Sequence, residues 1–233
     1  MGGGKTPPFF KNMNIIYCYD NNYKDLVKIS QESFKKHNPD ARFFEITEDE
    51  EGILKEFTSE LCGYSHVSKA SFLRLLIPKV FPELERALYV DCDTLCFGSI
   101  SELYNADFEK NYLIACKGHS FSDKQAKQLD LPYYVNSGVL LFNIPLMNKD
   151  DYFKQILDNW KGAIGKQEPF SADETVINWV FHNKIKLVPE KWNYCYERDY
   201  GERLCATPKI LHIIGPDKRK MYESDSINLC SCY

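Results

Sequence analysis

The segment Arg86–Leu103 reads RALYVDCDTLCFGSISEL, and its apolar run Ala87–Val90 leads directly into Asp91-Cys92-Asp93. Such a run predicts a buried strand. In an extended segment residues two apart share a face, so Asp91 and Asp93 are expected to project together from the strand's carboxyl end, and Cys92 from the other side. Paired carboxylates suit Mg²⁺ or Mn²⁺, ions that keep coordination positions for phosphate oxygens and water. The sequence therefore predicts a cation site for a phosphorylated ligand, although a D-x-D tripeptide can also be an acidic turn closing a strand.

The composition suits a single globular α/β domain. Of the 233 residues, 44% are hydrophobic, which is enough to form a core. The 29 basic and 33 acidic residues give a net charge of -4 without a basic stripe, which argues against nucleic acid as a partner. The nine cysteines form an odd set without a C-x-x-C pair, so they favour a reducing compartment, the cytoplasm, over a disulfide framework or a zinc site. No stretch predicts a signal peptide or a transmembrane helix.

The rest of the chain alternates strand and helix patterns. Asn14–Tyr19 (NIIYCY) is a β-type run, and the polar cluster Asp20–Asn22 can cap a helix over Tyr23–Lys36. Further strands are predicted at Ala41–Ile46, Tyr112–Cys116, Val139–Phe142 and Ile210–Ile214, and further helices at Glu48–Leu61, Ser68–Phe81, Asp150–Lys161 and Glu174–Phe181. This order favours a largely parallel sheet whose ligand lies at the carboxyl ends of the strands. Residues 1–13, rich in Gly and Pro, are predicted to be a flexible N-terminal segment, and residues 14–233 a single domain.

Two basic side chains stand within apolar patterns. Arg74 lies in the helix predicted over Ser68–Phe81, where it either is buried against an anion or carboxylate or extends to the surface. His212 lies in the last predicted strand and leads into the sequence GPDKRK. A lone histidine on a strand is usually structural, but one before a glycine and a lysine cluster is better explained as a ligand beside phosphate-binding cations.

Two further polar groups have both a structural and a functional interpretation. Asn136-Ser137-Gly138 comes directly before the run Val139–Phe142, so it is either a turn or a place where the backbone approaches a ligand closely. Asp173 and Glu174 either belong to a site or simply favour the positive end of the helix that they begin.

Six motifs in this order resemble family 8 glycosyltransferases, the group that includes bacterial lipopolysaccharide galactosyl- and glucosyltransferases and is similar to glycogenin. They run from Asn14 to Lys218 and read IIYCYDNNY, SHVSKASFLRLLIP, LYVDCDTL, YVNSGVLLFN, ADETVIN and HIIGPDK. The resemblance implies a GT-A fold, in which a Rossmann-like, mostly parallel sheet is flanked by helices. It also implies transfer of a hexose from a nucleotide sugar, usually UDP-linked, to a glycan, a lipid-linked glycan or another hydroxyl acceptor. The resemblance further implies Mn²⁺ or Mg²⁺ and retention at the anomeric carbon.

The matching positions imply a role for each candidate site residue. The nucleotide would be surrounded by Cys18, Asp20, Asn22 and Tyr23, with Tyr23 stacking on the base, and Arg74 would lie near the donor. The metal would be held by Asp91, Asp93 and His212, and the diphosphate would face Gly215 and Lys218. The sugar would be oriented by Asn136 and Asp173, and the acceptor side would be lined by His66.

Three positions depart from the family pattern. Glu174 stands where the family usually has Gln, and its carboxylate could be a nucleophile, a stabiliser of the transition state or the base of an inverting displacement. Lys117-Gly118-His119 stands where an acidic residue is common, so the acceptor site is expected to differ. Arg219 replaces an aromatic residue in the last motif. Retention is favoured because the surrounding motifs resemble retaining enzymes.

Three other functions fit parts of the sequence less well. The segment D-C-D-T-L from Asp91 is similar to the D-x-D-x-T pattern of Mg²⁺-dependent phosphohydrolases, although Leu95 stands at the position of its Thr. Those enzymes need a further acidic pair on a late strand, where this chain has His212. A non-catalytic nucleotide-sugar-binding protein would be expected to lack a metal ligand. A nucleotidyltransferase would have a Gly-rich loop after the first strand, and this chain has DNNY there.

Overall fold

The computed structural model describes residues 10, 12–47, 70–118, 120–162, 166, 172–196 and 207–215. The helix predicted at Glu48–Leu61 and most of the segment 1–13 lie outside these ranges, although Met13 is described and buried. No helix in the described ranges combines the length and apolarity needed to cross a lipid bilayer.

Nine strands are described, in two sheets. They are β1 (Asn14–Tyr19), β2 (Arg42–Thr47), β3 (Arg86–Val90), β4 (Thr94–Cys96), β5 (Leu113–Lys117), β6 (Val135–Asn143), β7 (Ile185–Val188), β8 (Tyr194–Tyr196) and β9 (Ile210–Ile213). The central sheet has the order β2-β1-β3-β6-β5-β7, and a small sheet has the order β4-β9-β8. In the central sheet β6 is antiparallel to both of its neighbours and the other pairs are parallel, so the prediction of a largely parallel sheet is confirmed.

The described helices flank this sheet. They are α1 (Lys24–His37), α2 (Ala70–Leu73), α3 (Ile77–Val80), α4 (Ser101–Tyr104), α5 (Ser120–Gln128), α6 (Ile144–Lys149), α7 (Tyr152–Asn159) and α8 (Ala172–Phe181). Successive side chains of β3 enter two different cores, since Ala87 and Tyr89 pack with α2, α3 and α6 to α8, whereas Leu88 and Val90 pack with α1 and α4. Helices therefore cover both faces of the sheet, as the strand alternation requires.

The helix predicted over Ser68–Phe81 is divided in the structure. The described part runs as α2, a 3-10 turn at Arg74–Leu76, and α3. Pro78 has no N–H to donate to the Arg74 carbonyl. The Ile77 N–H donates to that carbonyl instead, and this hydrogen bond over three residues is the tighter 3-10 pattern. The break places Arg74 in the 3-10 turn that follows α2, where its guanidinium reaches Asp91 at the carboxyl end of β3.

Two local predictions were wrong. Asp91-Cys92-Asp93 is a turn rather than an extended segment, since the Asp91 carbonyl accepts hydrogen bonds from the Thr94 N–H at 3.2 Å and the Thr94 hydroxyl at 2.7 Å. Asn136-Ser137-Gly138 lies inside β6 rather than before it, because β6 begins at Val135, which pairs with Lys117 of β5. In both cases long-range strand pairing decides the local conformation.

Candidate metal centre and ligand cleft

Three potential ligands meet where β3 ends and the small sheet begins. The turn after β3 presents Asp91 and Asp93, and the pairing of β4 with β9 sets Thr94 opposite His212. His212 Nε2 lies 3.4 Å from Asp91 Oδ2 and 3.3 Å from Asp93 Oδ1. One ligand atom from each of the three residues lies within 4.8 Å of the others. Two carboxylates and one imidazole at this spacing fit Mn²⁺ or Mg²⁺ and leave coordination positions for phosphate oxygens and water.

The charges of this group favour a cation at its centre. Burial by itself lowers the pKa of His212, but the Asp93 carboxylate outweighs burial, so the pKa is raised well above its ordinary value. In the imidazolium form both ring nitrogens carry a proton, and the Nε2 proton faces the carboxylates where a metal ion would bind. Metal binding must displace this proton, which couples metal affinity to pH.

Arg74 joins the metal-ligand group to the start of α8. Its side chain is 9% exposed, with Nη2 3.1 Å from Asp91 Oδ1 and Nε 3.1 Å from Asp173 Oδ2. Its Nη1 donates to the Ser137 carbonyl at 2.9 Å, and its guanidinium lies 4.6 Å from the centre of the Tyr89 ring. Of the two possibilities for Arg74, burial against carboxylates is confirmed.

The two carboxylates of α8 bind β6 rather than only capping their helix. Asp173 Oδ2 accepts from the Ser137 hydroxyl at 3.0 Å, and Glu174 Oε2 accepts from the Ser137 N–H and from Asn136 Nδ2, each at 3.0 Å. Burial raises the pKa of Asp173 to about 6, although Arg74 opposes the change. Burial also raises the pKa of Glu174 to about 7. The hydrogen bond from the Ser137 N–H lowers this pKa, and the negative charge of Asp173 raises it.

Asn178, one turn after Glu174, fixes the register of α8 on β6. Its Oδ1 accepts from the Val135 N–H at 2.7 Å, and its Nδ2 donates to the Val135 carbonyl at 2.8 Å. Val135 stands at an irregularity in the β5–β6 pairing. The side chain of Asn178 therefore satisfies backbone groups of β6 and holds the α8 carboxylates beside the sheet.

Gly138 is required by close packing. A Cβ atom at this position would lie 2.1 Å from His212 Cε1 and 2.5 Å from His212 Nδ1. The glycine lets a backbone approach another group closely, as the sequence suggested, but the group is the His212 ring. The peptide of Gly138 also holds Asp91, because the Asp91 N–H donates to the Gly138 carbonyl at 2.8 Å.

A cleft of about 140 Å³ opens beside the metal-ligand group. The lining comes from the end of β1, from the turns after β1 and β3, and from α2 with the 3-10 turn that follows it. The lining residues are Cys18, Tyr19, Asp20, Tyr23, Ala70, Ser71, Arg74, Asp91, Cys92 and Asp93. Asp20 also caps the 3-10 turn Asn21–Tyr23 by accepting from the Asn22 N–H at 2.8 Å. The cleft lies at the carboxyl edge of parallel strands, where open α/β sheets bind ligands.

The structure thus brings together most of the predicted site residues. Asn22 is exposed on the turn beside the cleft, and Gly215 follows β9 with a φ of 97°, a conformation that favours glycine. His66 and Lys218 lie outside the described residues. The sequence analysis gave no individual role to Ser137, Asn193 or Tyr89, because a serine, an asparagine or a tyrosine in or beside a strand has no distinctive pattern. In the structure Tyr89 donates its hydroxyl to Asp91.

Comparisons with known proteins agree with this geometry. A family model described as glycosyl transferase family 8 matches residues 14–219. The lipopolysaccharide 1,3-galactosyltransferase of Salmonella typhimurium is 25% identical over 88% of this chain and 72% of that protein. The glycosyltransferase GlyB of Streptococcus pneumoniae is 25% identical over 90% of this chain and 52% of its own length.

Solved structures show the same architecture. The crystal structure of the galactosyltransferase LgtC in complex with donor and acceptor sugar analogs superposes with a TM-score of 0.73, at 18% identity over 88% of each chain. This likeness identifies the fold as GT-A. Because the family model spans nearly all of the sequence that carries the fold and the site, this protein belongs to glycosyl transferase family 8.

Proposed function

We propose that the protein transfers a hexose from a nucleoside-diphosphate sugar, with UDP as the expected nucleotide, to a hydroxyl of a glycan or lipid-linked glycan. The family supports glycosyl transfer, and the name of the Salmonella relative supports a hexose donor and a glycan acceptor. The proposal includes Mn²⁺ or Mg²⁺ as the cofactor and retention at the anomeric carbon.

The observation that carries the proposal is the Asp91, Asp93 and His212 group at one end of the cleft. Both carboxylates line the cleft, so a bound cation could contact a ligand there. A bound cation would offset the negative charge that develops on the diphosphate as the sugar departs. An ordinary acidic turn would need neither a buried histidine facing both carboxylates nor a glycine to make room for it.

The chain's own residues have distinct roles in this proposal. Four residues near the end of β1 surround the nucleotide, and they are Cys18, Asp20, Asn22 and Tyr23. Arg74 holds Asp91 and Asp173 in fixed positions, while Asp173 and Asn136 orient the sugar. Gly215 and Lys218 face the diphosphate, and His66 lines the acceptor side.

The hydrogen bonds of Glu174 support retention over inversion. The base of an inverting displacement needs a carboxylate oxygen directed at the acceptor hydroxyl. Glu174 Oε2 instead accepts from Asn136 and Ser137, which is a contact that a Gln oxygen can also make. We therefore assign Glu174 a positioning role, and we expect Glu174→Gln to keep nucleotide binding and substantial transfer.

The compartment and partners follow from composition and chemistry. Nine cysteines without a C-x-x-C pair favour a reducing compartment, and we place the protein in the cytoplasm on that basis. A net charge of -4 without a basic stripe gives no reason to expect nucleic acid as a partner.

A screen of nucleotide sugars tests the proposal directly. The wild-type protein is incubated with UDP-, GDP- and ADP-linked hexoses in Mn²⁺ or in EDTA, and release of the nucleotide is measured with and without glycan acceptors. We expect Mn²⁺-dependent release with a UDP-hexose, and loss of release in Asp93→Asn. Metal-independent release, or no release from any donor, would contradict the proposal.

The stereochemistry has its own experiment. The anomeric proton of the transferred sugar is observed by NMR, with a donor of known configuration, for the wild type and Glu174→Gln. Retention in both proteins is expected. An inverted product together with an inactive Glu174→Gln variant would make Glu174 the base.

A further inference from the structure

Asn193 connects the metal-ligand histidine to the asparagine at the proposed sugar side of the site. Its side chain is buried, and it follows a 3-10 turn at Glu190–Trp192, just before β8. Asn193 Oδ1 lies 3.1 Å from His212 Nδ1, and Asn193 Nδ2 lies 2.8 Å from Asn136 Oδ1. The parallel pairing of β8 with β9 sets Cys195 opposite His212, which holds the neighbouring Asn193 near the imidazole.

The direction of each hydrogen bond follows from one backbone donor. The Gly138 N–H can only donate, so the atom of Asn136 that lies 2.9 Å from it must be the amide oxygen. That oxygen faces Asn193, so Asn193 must present its NH₂ group to Asn136. Asn193 then presents its own oxygen to His212 Nδ1.

The tautomer of His212 follows from the same chain of contacts. An amide oxygen only accepts, so Nδ1 must carry a proton. Nε2 is then the nitrogen whose lone pair can bind a cation, and it is the nitrogen that faces Asp91 and Asp93. The Glu174 carboxylate supports the same assignment, because it accepts from Asn136 Nδ2 at 3.0 Å.

We infer that Asn193 is a positioning residue that holds His212 with Nδ1 protonated and Nε2 directed at the cation, and that links this histidine to Asn136. The inference rests on the proposed function, since it concerns the cation named there. A partner of the distal histidine nitrogen fixes both ring orientation and tautomer, and loss of such a partner commonly weakens metal binding. The second link makes the position of Asn136 depend on the same side chain.

Two substitutions separate the two links. Asn193→Ala removes both the acceptor for His212 and the donor for Asn136. Asn193→Asp keeps an acceptor for Nδ1–H but sets a carboxylate oxygen against Asn136 Oδ1. Asn38→Ala is the control, because Asn38 is also buried and makes several side-chain hydrogen bonds, all of them away from the metal-ligand group.

The affinity for Mn²⁺ alone is measured by calorimetry, with thermal unfolding to establish that each variant is folded. Asn193→Ala is expected to raise the Kd for Mn²⁺ by about 10- to 100-fold, and Asn193→Asp by no more than about threefold. Asn38→Ala is expected to lower the unfolding temperature without changing the Kd. In Asn193→Asp, the affinity for the nucleotide sugar should fall while that for the free nucleotide does not.

NMR of the wild-type protein loaded with Mg²⁺ and UDP provides a readout that needs no variant, with the His212 proton expected on Nδ1. A proton on Nε2 would overturn the inference. So would a folded Asn193→Ala protein with the wild-type Kd, or equal losses in the Ala and Asp variants. A wild-type chain that binds no divalent cation would refute the proposed function itself, and this inference with it.

Discussion

Arg74 is the residue on which the electrostatics of the site depend most. Three of its donor nitrogens are used, toward Asp91, Asp173 and Ser137, in a planar arrangement that only a guanidinium provides. The two carboxylates come from segments far apart in the sequence, so Arg74 also fixes the turn after β3 relative to α8. Its removal leaves the buried negative charge of Asp173 without the guanidinium that offsets it.

We expect Arg74→Met to lower the free energy of unfolding by about 3 kcal/mol or more at neutral pH. The loss of unfolding free energy should be smaller near pH 5. Arg74 opposes the rise in the pKa of Asp173, so without Arg74 the Asp173 carboxyl is protonated more readily at that pH and no longer carries a buried charge. Urea denaturation at both pH values measures this. Arg42→Met, at an exposed position, is the control, and equal losses in the two variants would contradict the assignment.

Glu174→Gln should stabilise the protein at neutral and alkaline pH. The carboxyl pKa rises from 4.5 to about 7 on folding, so ionisation costs the folded state up to about 3 kcal/mol at about 1.4 kcal/mol per unit. Below pH 4.5 the group is protonated in both states and contributes nothing. The gain in stability from Glu174→Gln therefore increases between pH 4.5 and about pH 7 and is constant at higher pH.

Thermal or urea unfolding across this pH range measures the Glu174→Gln advantage. Glu102→Gln, whose carboxylate is exposed and forms an ion pair with Lys191, is the control. An advantage for Glu174→Gln that does not change with pH would mean that the Glu174 carboxyl has an ordinary pKa.

At the scale of elements, β6 organises the site more than any other strand. It pairs with β3 through residues 139–143, carries Asn136 and Ser137 toward α8, and brings the backbone of Gly138 against His212 of β9. Three elements distant in sequence therefore meet at three consecutive residues. A change in the shape of β6 at this point is transmitted to the cation ligands.

Gly138→Ala should weaken Mn²⁺ binding by about tenfold or more, because the new methyl group cannot coexist with the present His212 ring position. Gly98→Ala is a matched control, since the nearest atoms there belong to the flexible end of the Lys209 side chain. Calorimetry with Mn²⁺ measures both variants. Full affinity in Gly138→Ala would mean that His212 does not bind the cation from its present position.

For the whole molecule, the sequence predicted the parts that depend on local pattern. The apolar runs of β1 and β3 and the carboxylates after β3 could be inferred, because each follows from neighbouring residues. For Arg74 the sequence left two alternatives, burial against an anion or carboxylate and extension to the surface. The turn at Asp91–Asp93 and the extent of β6 could not be inferred, since both are decided by pairing with strands distant in sequence. The role of Asn193 depends on β8 lying beside β9, which no local pattern encodes.

The central claim is that a divalent cation joins the Asp91, Asp93 and His212 group to a nucleoside diphosphate in the adjoining cleft. Calorimetric titration of the wild-type protein with UDP, in Mn²⁺ and then in EDTA, tests it most directly. We predict affinity at least about tenfold higher with Mn²⁺, because the carboxylates repel the phosphates when no cation lies between them, and no such difference in Asp93→Asn. Equal UDP affinity in Mn²⁺ and in EDTA would contradict the account.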